Sequence, residues 1–282
     1  MADGMGIGMA REAGGRRLKP WLAALVAAGT LVSFVAGAQS QGSGDPAPQQ
    51  NPLPPVAKEC GEAHASETPL PNTALALQRD KKITILAIGA SSVAVLGGSR
   101  GETPLLEQIL ERTIKGVDVE IINRGFSGEL AEAAGQRLKI EVALNHPNIV
   151  LWQVGTNDAF AQVPVGEFEA SVTATVRWLK EHNIDVILVG LHYLKHLTQD
   201  QHYQAIRSSL RRIIAAENVI RIGRYEAMEV LDRTMRQNAR LDPSDFGLTE
   251  QGYNCMAQYI ARAITVGIYA RKPKGPAAVP RG

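Results

Sequence analysis

Cysteine is scarce in this sequence, with two among 282 residues, and several binding signatures are missing altogether. No Gly-x-Gly-x-x-Gly run follows a strand-like segment, which argues against a dinucleotide fold. No metal or phosphate motif appears, and two cysteines at this spacing do not make a zinc site, which needs more ligands. No internal repeat is evident. An excess of one charge is missing as well. Lys and Arg number 30 against 28 Asp and Glu, and the first 38 residues hold that surplus, with Arg11, Arg16, Arg17 and Lys19 against Asp3 and Glu12. The remainder carries 26 of each sign. Nothing in it argues for nucleic acid or an anionic surface as a partner.

The same N-terminal residues form a recognisable pattern. A basic approach leads into "WLAALVAAGTLVSFVAGAQS", an apolar run ending in the small-x-small exit Ala36-Gly37-Ala38. Residues 1–38 read as a secretory signal peptide, cleaved after Ala38. An uncleaved anchor is the other reading, since about 18 apolar residues can just cross a bilayer, and it is the one membrane association expected. Residues 39–78 are dominated by Pro, Gly, Gln and Ser and read as a tether that buries little. Cys60 lies in it, and Cys255 lies on the last helical segment. In an exported chain the two are expected to bond to one another; two free thiols, with Cys255 buried as a small apolar residue, is the alternative. The domain proper is expected over residues 79–270, followed by a flexible basic tail over 271–282.

Within the domain the hydrophobic period switches regularly. Short apolar runs at 82–89, 117–123, 148–155, 184–191 and 219–224 read as strands. Between them 103–116, 129–145, 168–183 and 200–218 carry helical spacing. Because the strands are continuously apolar and alternate with helices, the expected architecture is α/β: five parallel strands with helices on both faces. Trp152 and Trp178 fall on apolar faces and read as core, and "RSSLRR" at 207–212 reads as a solvated helix face. In such a sheet the loops leaving the carboxyl ends of the strands gather on one edge, where ligands bind.

Three of those exits hold chemistry-bearing residues. "GASS" after the first strand puts Ser91 at a strand-to-helix turn, where its hydroxyl is exposed and backbone N–H groups point at a ligand. "NRGFSGE" after the second holds Gly128, whose lack of a side chain lets backbone approach closely. "GTND" after the third holds Asn157, an amide donor or a helix cap. Two or three donors aimed at one point are what an acyl-transfer oxyanion requires. In order, these blocks resemble the SGNH (GDSL) hydrolase family of esterases, lipases and carbohydrate acetylesterases, over about residues 82–268. The resemblance implies a flavodoxin-like three-layer α/β/α sandwich, Ser91 as nucleophile, and oxyanion donors at Ser91 N–H, Gly128 N–H and the Asn157 side chain. It implies no cofactor and no metal, and a small-molecule or carbohydrate ester as substrate. Oligomeric state is not legible.

Two positions depart from the family pattern. Ala90 stands where an aspartate usually precedes the nucleophile. In "DPSDFGLTEQGY", residues 242–253, Gly247 stands where the family's Asp-x-x-His carries histidine, and Ser244 where it carries aspartate. A serine hydroxyl needs a base to take its proton. Three readings stay open: a migrated histidine, with His192 and His196 on the fourth strand's exit as candidates and His202 nearby; Asp242 or Asp245 as a weak base; or a binding protein that holds an ester without cleaving it.

Overall fold

The computed structural model describes residues 53–62, 65–89, 102–238 and 250–270. Ser91, Asp242, Asp245, Gly247, the 1–38 segment and the tail over 271–282 lie outside them. Five strands form one sheet: β1 (Lys82–Gly89), β2 (Asp118–Asn123), β3 (Ile149–Gln153), β4 (Asp185–Val189) and β5 (Ile220–Ile222). Their order is β2-β1-β3-β4-β5, all parallel, the flavodoxin-like arrangement with its switch point between β1 and β3. Each strand falls within a residue or two, at either end, of the apolar run that announced it, and β5 is the shortest, with three residues.

The central strands β1, β3 and β4 are buried along nearly their whole length, because helices cover both faces. One apolar layer holds α2 (Glu102–Thr113) and α8 (Glu250–Tyr269), with Leu106, Leu110, Ile260 and Ile264 packed on Ile85 and Leu151. The other holds α3 (Ala131–Asn145), α5 (Val165–Glu181) and α6 (Gln201–Glu217), with Leu138, Val172 and Leu210 packed on Leu86, Trp152 and Leu188. Trp152 is buried, as its apolar setting predicts, and Trp178 packs partly buried at the margin of the same layer. Three helices complete the set among the described residues: α1 (Pro71–Asp80), α4 (Thr156–Phe160) and α7 (Arg224–Asn238).

The expectation that the tether buries little needs correction from about residue 57 onward. Residues Lys58–Cys60 form a 3-10 turn, and α1 begins inside the proline-rich segment, with Pro71 at its first position, where the missing N–H is harmless. Leu70, Thr73 and Ala76 recur at helical spacing and are buried. Thr73 donates from both N and Oγ1 to Asp185 Oδ2 at 2.8 and 2.7 Å, and Asn72 Nδ2 donates to Oδ1 at 3.0 Å. Asp185 opens β4, so this segment is bolted to the sheet. Burial pushes the Asp185 carboxyl up, and those donors oppose the shift. Ser66 also covers the β5 edge, donating N–H to Arg221 O and accepting at Oγ from Arg221 N, so the edge is not left open to another chain. The expected disulfide is present: Cys60 and Cys255 are bonded with Cα atoms 5.4 Å apart. "RSSLRR" is not simply solvated either. Ser209 and Leu210 are buried, and Arg207 and Arg211 both donate to Glu226.

Candidate functional site at the carboxyl edge of the sheet

The exits of β1, β2 and β3 are laced together by backbone geometry before any side chain contributes. After β2 the chain turns across the end of β1, with Arg124 N on Ala87 O at 2.8 Å and Phe126 N on Gly89 O at 2.9 Å. Gly89 has φ +137°, and a Cβ there would lie 2.4 Å from Gln153 O, so only glycine lets β1 end this close to β3. Ser91 follows two residues later, outside the described residues. Gly128 has φ +80° with open space around it. Its need for glycine comes from the backbone conformation and leaves its N–H side free of bulk.

The block "GTND" then locks this loop in place. Asn157 Nδ2 donates to Glu129 O at 2.9 Å. Its neighbour Asp158 accepts from Ala131 N through Oδ1 at 2.8 Å. Two consecutive side chains from the β3 exit therefore grip the two ends of segment 129–131, immediately beyond Gly128. Asp158 thereby satisfies the first N–H of α3, whose own N-cap, Leu130, has no side-chain cap bond, and the Asn157 amide keeps a second N–H beyond its bond to Glu129. Burial pushes the Asp158 carboxyl up, against three backbone N–H bonds that favour the charge. Arg137 adds a bidentate pair on Glu129, at 2.7 and 2.6 Å, the strongest form of such a contact. The sequence singled out Asn157 and Gly128 but not Asp158, whose part shows only once its partner 27 residues away is known.

Glu129, Gln153, Val154, Gly155, Thr156 and Asn157 line a small cleft at this point. A larger cleft of about 440 Å³, lined by Ser66, Thr68, Arg211, Asn218 and Arg221, lies beside the amino end of β5. Its serine, Ser66, is bonded to the Arg221 backbone at the β5 edge, away from the strand exits, so size does not mark the site.

His192, on the β4 exit, does reach this edge, but it is engaged. Its N–H donates to Thr156 Oγ1 at 3.1 Å, and its carbonyl accepts from Tyr203 Oη at 2.6 Å. Its Nε2 lies 2.7 Å from Gln153 Nε2; with the amide donating, the ring proton is assigned to Nδ1. Burial, assisted by the Arg224 cation, holds the imidazole down to about 3. Such a ring is neutral at pH 7. Among the described residues no carboxylate is bonded to it. His196 is exposed on the 3-10 turn Lys195–Leu197, and His202 is partly buried at the start of α6. Asp245, the other candidate base, lies outside the described residues. Among the described residues no group of three or more His, Cys, Asp or Glu is placed to hold a metal ion.

Comparison with known proteins agrees with this architecture. No curated protein matches the chain. Solved structures do match its fold. The lipase/acylhydrolase from Enterococcus faecalis aligns with a TM-score of 0.53 at 22% identity, over 65% of this chain and 95% of that one. The acetyl xylan esterase AlAXEase gives 0.54 at 19%, over 63% and 98%. LAE5, an alpha/beta hydrolase from the metagenome of Lake Arreo, Spain, gives 0.52 at 17%, over 66% and 94%. At these identities the likeness is one of fold. The family model of the Non-GDSL lipase-like family matches residues 58–270, which takes in the 3-10 turn, α1 and the disulfide as well as the sheet. The chain belongs to that family, and through it to the SGNH-like hydrolases.

Proposed function

We propose that the protein is an exported serine ester hydrolase acting on small acyl esters, with acetyl groups on a polysaccharide as the favoured substrate. Ser91 Oγ would attack the ester carbonyl carbon, and the carbonyl oxygen would take the negative charge. Ser91 N–H, Gly128 N–H and Asn157 Nδ2 would receive it. The alcohol leaves with a proton, and water then releases the acid from the acyl-serine. With His192 tied to Gln153, the proton of Ser91 is assigned to Asp245, a weaker base than histidine, so turnover is expected to be slow.

The observation that carries the reading is the Asn157–Glu129 bond, which draws the third exit onto the second beside Gly128. One protein of like fold is an acetyl xylan esterase. A signal-like N-terminus and the disulfide support export. A second reading, binding an acylated glycan without cleaving it, is favoured by one observation: His192, the one candidate histidine bonded into this edge, is not available as a base. Hydrolysis of a short-chain aryl ester by wild type and Ser91→Ala separates the two. Activity that disappears in the variant supports hydrolysis; equal rates, or none in either, leave only binding. Loss of the remaining activity in Asp245→Asn, with retention in His192→Ala, assigns the base.

A further inference from the structure

The chain as a whole is close to neutral, yet the fold gathers three arginines round one carboxylate. On α7, Glu226 Oε1 accepts from Arg207 Nη2 at 2.9 Å and from Arg211 Nη2, while Oε2 accepts from Arg221 Nη1 at 3.1 Å. Burial works against the Glu226 charge, but the Arg211 and Arg207 bonds hold the carboxyl down to about 2. Three cations therefore share one anion, a local surplus of two positive charges. Arg207 is the inner member, with Cζ 3.7 Å from the Tyr225 ring centroid and Nη1 on Gln204 Oε1 at 3.1 Å. Arg211 and Arg221 are the outer members, with side chains 48% and 30% exposed. A guanidinium group carries five N–H donors, and among the described residues the Arg211 and Arg221 side chains bond to Glu226 alone.

Both outer arginines line the cleft of about 440 Å³ beside β5, which is as large as many small-molecule sites, about 300–1,000 Å³. The rest of its wall has a mixed chemistry. Ser66 and Thr68 bring hydroxyls and Asn218 an amide, while Ile214, Ala215 and Val219 bring apolar surface. Ser66 Oγ takes the Arg221 N–H at 2.8 Å and still has its own hydrogen to give. A second cleft of about 300 Å³ shares Thr68, Asn218 and Val219 with the first, so the two adjoin. A network that served only to tie α6 to β5 and α7 would balance its charges, because unpaired like charges repel. A second anion in the cleft supplies the balance, and Glu226 shows that these guanidinium groups accept a carboxylate.

We propose that this cleft binds a carboxylate-bearing sugar unit of a polysaccharide, its carboxylate on Arg211 and Arg221, its hydroxyls on Ser66, Thr68 and Asn218, and its C–H face on Ile214 and Val219. Charge-assisted N–H contacts from planar guanidinium groups fix the carboxylate, and the adjoining cleft takes the next unit of the chain. The site lies at the amino end of β5, away from the strand exits. Binding there is a separate property from ester hydrolysis and stands whether or not Ser91 cleaves an ester.

Titration calorimetry of the full chain with trigalacturonate, a trisaccharide of carboxylate-bearing sugars, tests this, with neutral maltotriose and inorganic phosphate as comparison probes. Saturable one-site binding of trigalacturonate is expected, with no binding of maltotriose and much weaker binding of phosphate. Arg211→Gln should weaken trigalacturonate binding about 10- to 100-fold, the loss of a hydrogen-bonded charge. Arg212→Gln is the control: it removes the same charge from the next position of α6, where the side chain pairs with Glu169 instead, and it should bind as wild type does. Ala215→Trp, at an exposed position on the cleft wall, keeps every charge and fills the space. It should abolish binding, and it carries the test if Arg211→Gln fails to fold. No binding by wild type, equal losses in Arg211→Gln and Arg212→Gln, or unchanged binding in Ala215→Trp overturns the proposal. Phosphate or maltotriose bound as tightly as trigalacturonate overturns the acidic-sugar assignment. Ester turnover is not read in any arm, so failure of the hydrolase reading and failure of this one are told apart.

Discussion

Replacing Asp158 by alanine should reveal how the site is held together. Asp158 is 2% exposed, and its Oδ1 accepts from the equally buried Ala131 N at 2.8 Å. Alanine leaves that N–H, the first of α3, without an acceptor inside the protein, at about 1–3 kcal/mol. Against this stands relief from burying a carboxylate, so a net loss of about 1–3 kcal/mol is expected at pH 7. The pH dependence has a definite sign. Burial raises the Asp158 carboxyl in the folded state, so its contribution is greatest below the unfolded value near 3.8 and is lost as pH rises through the folded value. The variant's deficit should therefore be larger near pH 4 than at pH 7. Urea unfolding at the two pH values measures it, with midpoint and slope read separately. Ester turnover by the folded variant gives the functional half, because the freed 129–131 segment no longer fixes Gly128, and kcat should drop. A variant that loses stability and keeps its kcat would refute the claim that Asp158 positions the site. A deficit that grows with pH would refute the assigned electrostatics.

Two further outcomes are expected. Converting Cys60 and Cys255 to serine opens a crosslink spanning 195 residues, worth at most about 5 kcal/mol by loop entropy; Tm should fall markedly, and an unchanged Tm would mean that α1 and the 57–66 segment hold without it. His192→Gln should leave ester turnover well above the roughly 100-fold loss that follows removal of a general base, and a loss of that size would restore His192 as the base.

The parts legible in the sequence were those with local periodicity. The five apolar runs became five strands because each is bounded by helical spacing that forces a crossover, and β1, β3 and β4 are buried where they are continuously apolar. Gly128 and Asn157 were readable because each sits at a fixed offset from a strand end. Helix α1 was hidden: the composition around it is that of a linker, and its anchor, Asp185, is more than 110 residues away. The same distance effect concealed Asp158, whose carboxylate looks like any helix-start residue until Ala131 is seen against it. His192 follows β4, where the topology puts it, but its partner Gln153 is a strand residue with no signal of its own. The segment 242–253, where the family pattern is broken, lies outside the described residues, so its carboxylates stand on sequence and on the proposed chemistry.

In the proposed mechanism Asn157 does more than bind the Glu129 carbonyl: it directs an amide N–H at charge forming on an ester oxygen. The most direct measurement is kcat on a short-chain aryl ester for Asn157→Ala against wild type, with Tm recorded in parallel. The expected result is a 100- to 1,000-fold fall in kcat with a change in Tm no larger than loss of one hydrogen bond, about 1 kcal/mol, would bring. A variant that hydrolyses the ester at the wild-type rate would contradict it.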